Sequence, residues 1–159
     1  MKNLSLKSGG NADMRIYLDM CCYNRPYDPQ DQLKISMEAK SKLHIQRLVE
    51  EGELELIGSY TLDYECSNIP FPMRKRAIID FIESNISGYV GVERDEIISK
   101  KAEEIMKTNI KQQDAYHVAS AIYAKCDYFI STDTRLLKYK TDEIKMVNPI
   151  QFITEMEDD

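Results

Sequence analysis

Four acidic residues stand where short strand-like or helix-like segments begin or end, and together they could bind a divalent cation. Two follow the apolar runs 15–18 and 128–130, one comes within two turns of the run 53–59, and one opens the small-residue segment 115–121. Clustered carboxylates repel one another unless a cation neutralises them. Any one of these acids could instead cap a helix or lie in a solvated loop. As a set, Asp19, Glu65, Asp114 and Asp133 predict a Mg²⁺ or Mn²⁺ site.

The elements that must position these acids alternate between strand and helix. This alternation predicts an α/β fold with a central parallel sheet of four to five strands, flanked by helices on both faces. Ligands of such sheets gather outside the carboxyl ends of the strands, so acids far apart in sequence can converge there. Residues 23–31, rich in Pro and Asp, are expected to form a loop. Strands are predicted at 15–18, 53–59, 89–92, 128–130 and 145–147, and helices at 33–51, 60–67, 73–83, 93–108, from 114 onward and at 149–155.

Apolar spacing predicts which face of two helices is buried. In the helix from Asp114, the inward stripe is expected to be Ala115, Val118, Ala119 and Ile122. In the helix 33–51, which Gly52 is expected to end, the apolar residues predict an amphipathic face. Those residues are Leu33, Met37, Leu43, Leu48 and Val49.

These motifs resemble those of the PIN-domain nucleases, small Mg²⁺- or Mn²⁺-dependent ribonucleases that include the toxins of many bacterial toxin–antitoxin pairs. Asp19 matches the first-strand acid of that family, Glu65 its helix glutamate, and Asp114 the acid of its D-A-x-x-x-A helix. Ser131-Thr132-Asp133 matches its T-x-D element with Ser in place of the first Thr. The resemblance spans residues 14–155 and implies a single PIN-like domain.

The first motif departs from the family pattern. The family often has Asn two residues after the first acid, whereas this chain has Cys21 there and Asn24 three residues later. Two functions from different classes therefore stay open. One is a metal-dependent endoribonuclease that hydrolyses RNA phosphodiesters, including the case of a toxin with an antitoxin partner. The alternative is a catalytically inactive PIN-like domain that binds RNA or protein.

The resemblance also implies roles for individual residues. One cation would be held by Asp19, Asp114 and Asp133 and a second would be shared with Glu65, so that a metal-activated water yields a 5′ phosphate and a 3′ hydroxyl. His117 is interpreted as a supporting hydrogen bonder rather than a catalytic base. The residues expected to support the acids or bind substrate are Asn24, Arg25, Arg74, Lys75, Arg76, His117 and Ser131.

Composition limits the remaining possibilities. With 159 residues, 43% of them hydrophobic, the chain can form one core, predicted for residues 14–159 after a disordered leader at 1–13. The net charge of −6 argues against a protein that coats nucleic acid by bulk charge. No phosphate-binding glycine loop and no nucleophile elbow occurs.

Cysteine usage and hydropathy indicate the compartment. The four cysteines lack paired C-x-x-C spacing and are expected to be reduced thiols. No apolar run is long enough to cross a bilayer, so a soluble, cytoplasmic protein is expected. Exposed aromatic and apolar residues on the middle helices predict a homodimer. These residues are Phe71, Met73, Phe81 and Tyr89.

Overall fold

The protein's structure, a computed structural model, describes residues 13–157, so the predicted leader lies outside the described residues except for Asp13. The strands are β1 (Arg15–Leu18), β2 (Glu55–Ser59), β3 (Ile86–Val90), β4 (Tyr128–Ile130) and β5 (Lys145–Val147). The α-helices are α1 (Met20–Asn24), α2 (Leu33–Glu50), α3 (Tyr60–Ser67), α4 (Pro72–Asn85), α5 (Asp95–Met106), α6 (Gln112–Tyr123) and α7 (Pro149–Glu157). Short 3₁₀ turns lie at Arg25–Tyr27, Val92–Arg94 and Leu136–Lys138.

The five strands form one parallel sheet in the order β3-β2-β1-β4-β5. The predicted α/β class and parallel sheet are therefore confirmed. From β1 the chain proceeds outward to β2 and β3, and from β4 it proceeds outward in the other direction to β5. The crevice between the carboxyl ends of β1 and β4 is thus a topological switch point, the place where open α/β sheets bind ligands.

Apolar side chains on the two central strands explain why the sheet forms there. Ile16, Tyr17 and Leu18 of β1 and Phe129 and Ile130 of β4 have no exposed surface. The rings of Tyr17 and Phe129 stack with their centroids 5.5 Å apart. Continuous burial of this kind is typical of a strand covered on both faces.

The helices cover the sheet in two groups. Parallel strands are joined by right-handed crossovers. The connections from β1 to β2 and from β2 to β3 run in one direction along the sheet and the connection from β3 to β4 runs in the other, so the rule places them on opposite faces. Helices α5 and α6 pack against each other, and α2 packs against α7. In α6 the predicted inward residues Ala115, Val118 and Ala119 are fully buried, while Ile122 is half-buried.

Several predicted boundaries are wrong, among them the start of α6, which lies at Gln112 rather than at Asp114. Residues 20–27, part of which was predicted as loop, form α1 and a 3₁₀ turn, because the Asp19 side chain caps α1 and Pro26 fits the first turn of the 3₁₀ segment. Strand β3 occupies Ile86–Val90 rather than 89–92. Helix α5 begins at Asp95 after a 3₁₀ turn rather than at residue 93.

The predicted buried face of α2 is also wrong everywhere except near the end of the helix. Leu33, Met37 and Leu43 are 76%, 43% and 50% exposed, whereas Glu38 and Lys42 are buried. Glu38 forms an ion pair with Arg25, and the Lys42 ammonium lies over the rings of Tyr23 and Phe81. Partners from distant segments therefore compensate the burial of two charges, and they reverse the face that apolar spacing predicts.

The end of α2 follows the prediction. Gly52 has a φ of +78°, the left-handed conformation that glycine adopts without strain after a helix. Within residues 13–157, no helix combines the length and hydropathy that crossing a bilayer requires.

Candidate active site

Asp19 and Ser131 join the carboxyl ends of the two central strands. Asp19 directly follows β1, and its backbone N–H donates to the carbonyl of Ile130 at 2.9 Å. The Ser131 hydroxyl, just past β4, donates to Asp19 Oδ2 at 2.9 Å. The first acid is therefore fixed across the switch point between β1 and β4.

The Asp19 carboxylate is buried and accepts three hydrogen bonds. Its Oδ1 accepts from the N–H of Met20 at 2.9 Å and so caps α1. Its Oδ2 also accepts from the Cys21 thiol at 3.3 Å, in addition to the bond from Ser131. Because only 6% of Asp19 is exposed, these donors replace most of the water that an ionised carboxylate needs.

Asp133 is held by the turn that follows β4. Its N–H donates to the Ser131 oxygen at 3.0 Å, so Ser131 contacts both acids. Asp133 Oδ1 accepts from the N–H groups of Arg135 and Leu136 at 3.0 and 3.3 Å. The predicted Ser131-Thr132-Asp133 element therefore forms a rigid turn whose carboxylate keeps one oxygen free of these bonds.

Glu65 and His117 approach Asp19 from two different helices. Glu65 lies on α3 and is half-buried, and His117 lies on α6 and is fully buried. His117 Nε2 forms a short hydrogen bond with Glu65 Oε1 and lies 4.0 Å from Asp19 Oδ1. One ligand atom from each of these three residues lies within 4.8 Å of the others.

A buried chain of hydrogen bonds supports His117. Its Nδ1 lies 2.6 Å from the Tyr17 hydroxyl, which lies 2.6 Å from the Ser59 hydroxyl. Ser59 in turn accepts from the N–H of Leu62 and caps α3, the helix that carries Glu65.

The proton positions in this chain follow from the acceptors at its two ends. Burial raises the pKa of Tyr17 well above its usual value, so the phenol keeps its proton and can donate it to His117 Nδ1. A carboxylate oxygen accepts, so His117 Nε2 is placed to donate to Glu65. The hydrogen bond from His117 then orients the Glu65 carboxylate.

The pKa of Asp114 is affected by the charges of the other three predicted acids. Asp114 lies in the first turn of α6 and is half-buried. Burial raises the pKa of Asp114 from 3.8 to about 6, and the negative charges of Asp19, Asp133 and Glu65 add to this effect, while His117 opposes it. The charges of the other three predicted acids therefore reach Asp114 and make its ionisation harder.

The donor set fits a hard divalent cation. The charges of Asp19, Asp133 and Glu65 contribute to the raised pKa of Asp114, which is the effect that a bound cation would reverse. Among the described residues, the group of possible ligand atoms within 4.8 Å of one another comprises Asp19, Glu65 and His117 and does not include Asp114 or Asp133. Asp19 and Glu65 could hold such an ion, and the charges of Asp114 and Asp133 would strengthen its binding. His117 donates to Glu65, which is the arrangement in which a histidine orients a carboxylate ligand.

An open cleft of about 490 Å³ adjoins the acids on the side of α6. Asp114 and Asp133 line one part of it, and residues of the loop between α5 and α6 and of the segment that follows β4 line the rest. Its cationic residues are Lys111, Arg135, Lys138 and Lys140. We call this feature the basic cleft.

Several of the other residues predicted to contact substrate contact neighbouring residues of the fold instead. Arg25 forms ion pairs with Asp28 and Glu38, and the oxygen of Asn24 is buried without a hydrogen-bond partner among the described residues. On α4, the Arg74 guanidinium lies between the rings of Tyr27 and Phe71, 4.7 and 4.4 Å from their centroids.

The two neighbours of Arg74 differ from it. Lys75 donates to the carbonyl of Ser67 at 3.2 Å, and Arg76 is exposed. Within residues 13–157, these three basic residues form no ion pair with the four acids.

Tyr17, Ser59, Cys21 and Lys111 were not among the site residues predicted from the sequence. Ser59 ends β2 at the same sheet edge as Asp19, and Tyr17 lies two residues before Asp19 on the same face of β1. These positions are the signal that could have found both hydroxyls. Cys21 was noted only as a departure from the family pattern, yet its sulfur also accepts from the N–H of Thr132 at 3.3 Å.

Comparison with known proteins gives a distant structural match. No protein-family model and no curated protein sequence matches the chain. A solved structure does match: a chain from the crystal structure of VapBC2 from Rickettsia felis bound to a DNA fragment from the VapBC2 promoter. The TM-score is 0.55 at 13% identity, over 85% of this chain and 98% of that one. VapC is a PIN-domain toxin. This protein has a PIN-like fold. At such low identity the likeness carries the fold alone, and the PIN-like architecture predicted from the motifs is confirmed.

Proposed function

We propose that this protein is a Mg²⁺- or Mn²⁺-dependent endoribonuclease. The observation that carries the proposal is an acidic cluster at the switch point of a PIN-like sheet: ligand atoms of Asp19 and Glu65 lie within 4.8 Å of each other, and the charges of Asp19, Asp133 and Glu65 add to the burial that raises the pKa of Asp114 to about 6. Acids that only cap helices would have no reason to lie close enough to raise the pKa of a neighbouring acid. A cation bound by this cluster would supply a water of lowered pKa and positive charge opposite a phosphodiester.

The protein's own residues prepare the site for that chemistry. Ser131 fixes Asp19 and the backbone of Asp133 relative to each other through two hydrogen bonds. His117, itself held by Tyr17, orients the Glu65 carboxylate. The acids are thus positioned before substrate arrives, which is how a site avoids reorganising during the reaction.

The decisive experiment combines a binding and a cleavage measurement. Mn²⁺ should raise the melting temperature of the protein, because a ligand that binds only the folded state stabilises it. A pool of structured RNA should be cleaved with Mn²⁺ and left intact with EDTA, and the products should carry 5′ phosphates and 3′ hydroxyls. A melting temperature that Mn²⁺ leaves unchanged would refute the metal site.

A second candidate function is an inactive PIN-like domain that binds RNA or protein. It is favoured by the short hydrogen bond between His117 and Glu65, which occupies one oxygen of that carboxylate, and by Cys21 in place of the Asn usual in the family. This candidate predicts RNA or protein binding that Mn²⁺ and EDTA leave unchanged, together with no cleavage.

We also propose an antitoxin partner. The support is the matched structure, which is a VapBC2 assembly rather than an isolated chain. Co-expression with a small open reading frame adjacent to the gene should yield a complex in which RNA cleavage is suppressed. Separate purification of the two chains from the same lysate would contradict this partner.

Self-association is proposed from exposed apolar surface. Phe71 and Met73, at the start of α4, are 53% and 87% exposed, and Tyr64 on the neighbouring helix α3 is 64% exposed. Surfaces of this kind often mark interfaces. Light scattering at micromolar concentration should give the mass of a dimer, and replacing Met73 by Glu should give that of a monomer.

A further inference from the structure

His117 brings a nitrogen atom into a site for which the sequence predicts oxygen ligands alone. Among the described residues, the possible ligand atoms that lie within 4.8 Å of one another come from Asp19, Glu65 and His117. Carboxylate oxygens suit Mg²⁺, whereas the imidazole nitrogen suits the later first-row transition metals. The third member of this group therefore bears on which cation the site prefers.

The imidazole ring of His117 is fixed with Nε2 directed at the two acids. The whole residue is buried. Nδ1 lies 2.6 Å from the Tyr17 hydroxyl, and the two rings meet edge to face with their centroids 5.6 Å apart. On the other side of the imidazole, Nε2 forms the hydrogen bond with Glu65 Oε1 and lies 4.0 Å from Asp19 Oδ1. Turning Nε2 away from the acids would break the contact with Tyr17.

The separation between His117 and Asp19 is one that two ligands of a single ion can have. Metal–nitrogen and metal–oxygen bonds of about 2.0–2.2 Å allow two ligands of one ion to lie up to about 4.4 Å apart. The 4.0 Å between His117 Nε2 and Asp19 Oδ1 is within that limit. Glu65 Oε1 already shares a proton with Nε2, and a cation that binds both atoms would replace this proton.

The buried hydroxyl of Tyr17 suits a histidine that binds a metal. A ligating histidine normally has a hydrogen-bond partner at its other ring nitrogen, which fixes the ring and its tautomer. Tyr17 is this partner for Nδ1. With a cation at Nε2, the ring proton is on Nδ1 and is accepted by the Tyr17 oxygen. The Tyr17 hydroxyl can then donate to Ser59, because either oxygen of that pair can be the donor.

We propose that His117 Nε2 is a ligand of the cation, together with Asp19 and Glu65, and that it makes the site select a first-row transition metal over Mg²⁺. The inference rests on the proposed metal site and narrows the choice of its metal. Affinity for nitrogen ligands rises from Mn²⁺ to Co²⁺, whereas Mg²⁺ retains oxygen ligands and water. Loss of the nitrogen should therefore weaken the binding of Co²⁺ most and that of Mg²⁺ least.

A pair of histidine variants tests the inference. His117→Gln keeps an N–H that can donate to Glu65 but removes the imidazole nitrogen. His44→Gln replaces the chain's other histidine, which lies on α2 and is not part of the ligand group among the described residues. Thermal unfolding of the wild type and both variants is measured over a series of Mg²⁺, Mn²⁺ and Co²⁺ concentrations, which gives a dissociation constant for each cation. Circular dichroism verifies that both variants fold.

The expected result is a loss of affinity that depends on the cation. In His117→Gln the dissociation constant should rise by about 10- to 100-fold for Co²⁺ and by less for Mn²⁺, and it should stay near the wild-type value for Mg²⁺. His44→Gln should keep all three wild-type constants. An equal loss for the three cations would show that His117 only orients Glu65, and no loss for any of them would show that it does not act on the metal. Either result overturns the inference.

A direct measurement does not depend on whether His117→Gln folds. In the His44→Gln protein, His117 is the sole histidine. This protein is prepared with ordinary and with ¹⁵N-labelled histidine and is loaded with Mn²⁺. Electron spin echo envelope modulation, a pulsed electron paramagnetic resonance method, detects nitrogen nuclei bonded to the ion. Modulation that changes with the label is expected, and a spectrum that the label leaves unchanged would overturn the inference.

The outcomes also separate the nitrogen ligand from the nuclease function. RNA cleavage with bound Mn²⁺ but without a nitrogen signal refutes the ligand and supports the nuclease. A nitrogen signal in a protein that cleaves no RNA refutes the nuclease and supports the ligand. Thermal unfolding that none of the three cations changes refutes both, because a cation bound only by the folded protein must stabilise it.

Discussion

The two halves of the acidic site are built differently. Around Asp19 and Glu65, side chains are buried or half-buried and bonded to one another through Ser131, His117 and Tyr17. Around Asp114 and Asp133, the carboxylates line an open cleft with cations at its walls. The first half is organised by the fold, and the second is accessible to a ligand. Acids of one predicted cluster can therefore differ in how much they contribute to the stability of the fold and how much to ligand binding.

The largest effect is expected from Asp19→Asn, in the buried half. The amide group brings N–H donors against Ser131 and Cys21, which already donate to Asp19, so at least one donor loses its acceptor. The free energy of unfolding should fall by about 1–3 kcal/mol, and RNA cleavage should fall about 100-fold or more. Urea denaturation in EDTA and single-turnover cleavage in Mn²⁺ measure the two effects. A fully stable Asp19→Asn would remove the distinction between the halves.

Asp114→Asn should lose activity without losing stability. The exchange removes one of four repelling charges and one proposed ligand, and Asp114 lies in the accessible half. In EDTA at neutral pH the variant should be as stable as the wild type or more stable, while the Mn²⁺-induced rise in melting temperature and the cleavage rate should both fall steeply. Lost stability with an unaltered response to Mn²⁺ would assign Asp114 a purely structural role.

The same carboxyl group makes a prediction about pH. The pKa of Asp114 is raised to about 6 in the folded protein from an ordinary 3.8, so the folded state binds this proton more tightly than the unfolded state does. The contribution of Asp114 is thus most favourable below about pH 4, decreases as the pH rises to about 6, and is constant above. The stability advantage of Asp114→Asn over wild type in EDTA should grow across that interval. An advantage equal at pH 4 and pH 7 would contradict the prediction.

Sequence reasoning found the acids because each lies in or just after an element whose type is encoded locally. The predicted bounds of α3, β4 and β5 match the structure, and the acids beside α3 and β4 were placed correctly as a result. The parallel sheet then brings its strand ends to one edge regardless of side-chain detail. Whether the predicted acids and supporting residues perform their assigned roles stays a prediction.

What the sequence could not predict depends on partners from distant segments. The buried face of α2 includes Glu38 and Lys42 because Arg25, Tyr23 and Phe81 meet them in the fold. The hydrogen bonds from Tyr17 to Ser59 and His117 span separations of 42 and 100 residues. Periodicity within one helix carries no information about such pairs, so it assigned apolar residues to a face that the structure exposes.

A smaller effect is expected from Tyr17→Phe, which tests the buried half without changing charge. Removing the hydroxyl leaves His117 Nδ1 and Ser59 without the partner they share, at a cost of about 1–3 kcal/mol in unfolding free energy. Cleavage should fall by about 10-fold because Glu65 is oriented less firmly. The matched control is Tyr23→Phe, since the Tyr23 hydroxyl is buried without a hydrogen-bond partner among the described residues. Equal losses in both variants would show that the chain of bonds has no specific role.

The smallest effect is expected from the basic residues at the start of α4, which extend the comparison to the cations. Two of the three are engaged by the fold: Arg74 stacks between Tyr27 and Phe71, and Lys75 donates to Ser67. Only Arg76 is then available for phosphate. Replacing all three by Ala should therefore reduce the slope of log K against log salt for RNA binding by no more than about 0.7, the value of one phosphate contact with a single strand. Metal affinity, measured by the Mn²⁺-induced rise in melting temperature, should not change. A decrease near 1.4 or above would show that two or more residues at the start of α4 contact the RNA backbone.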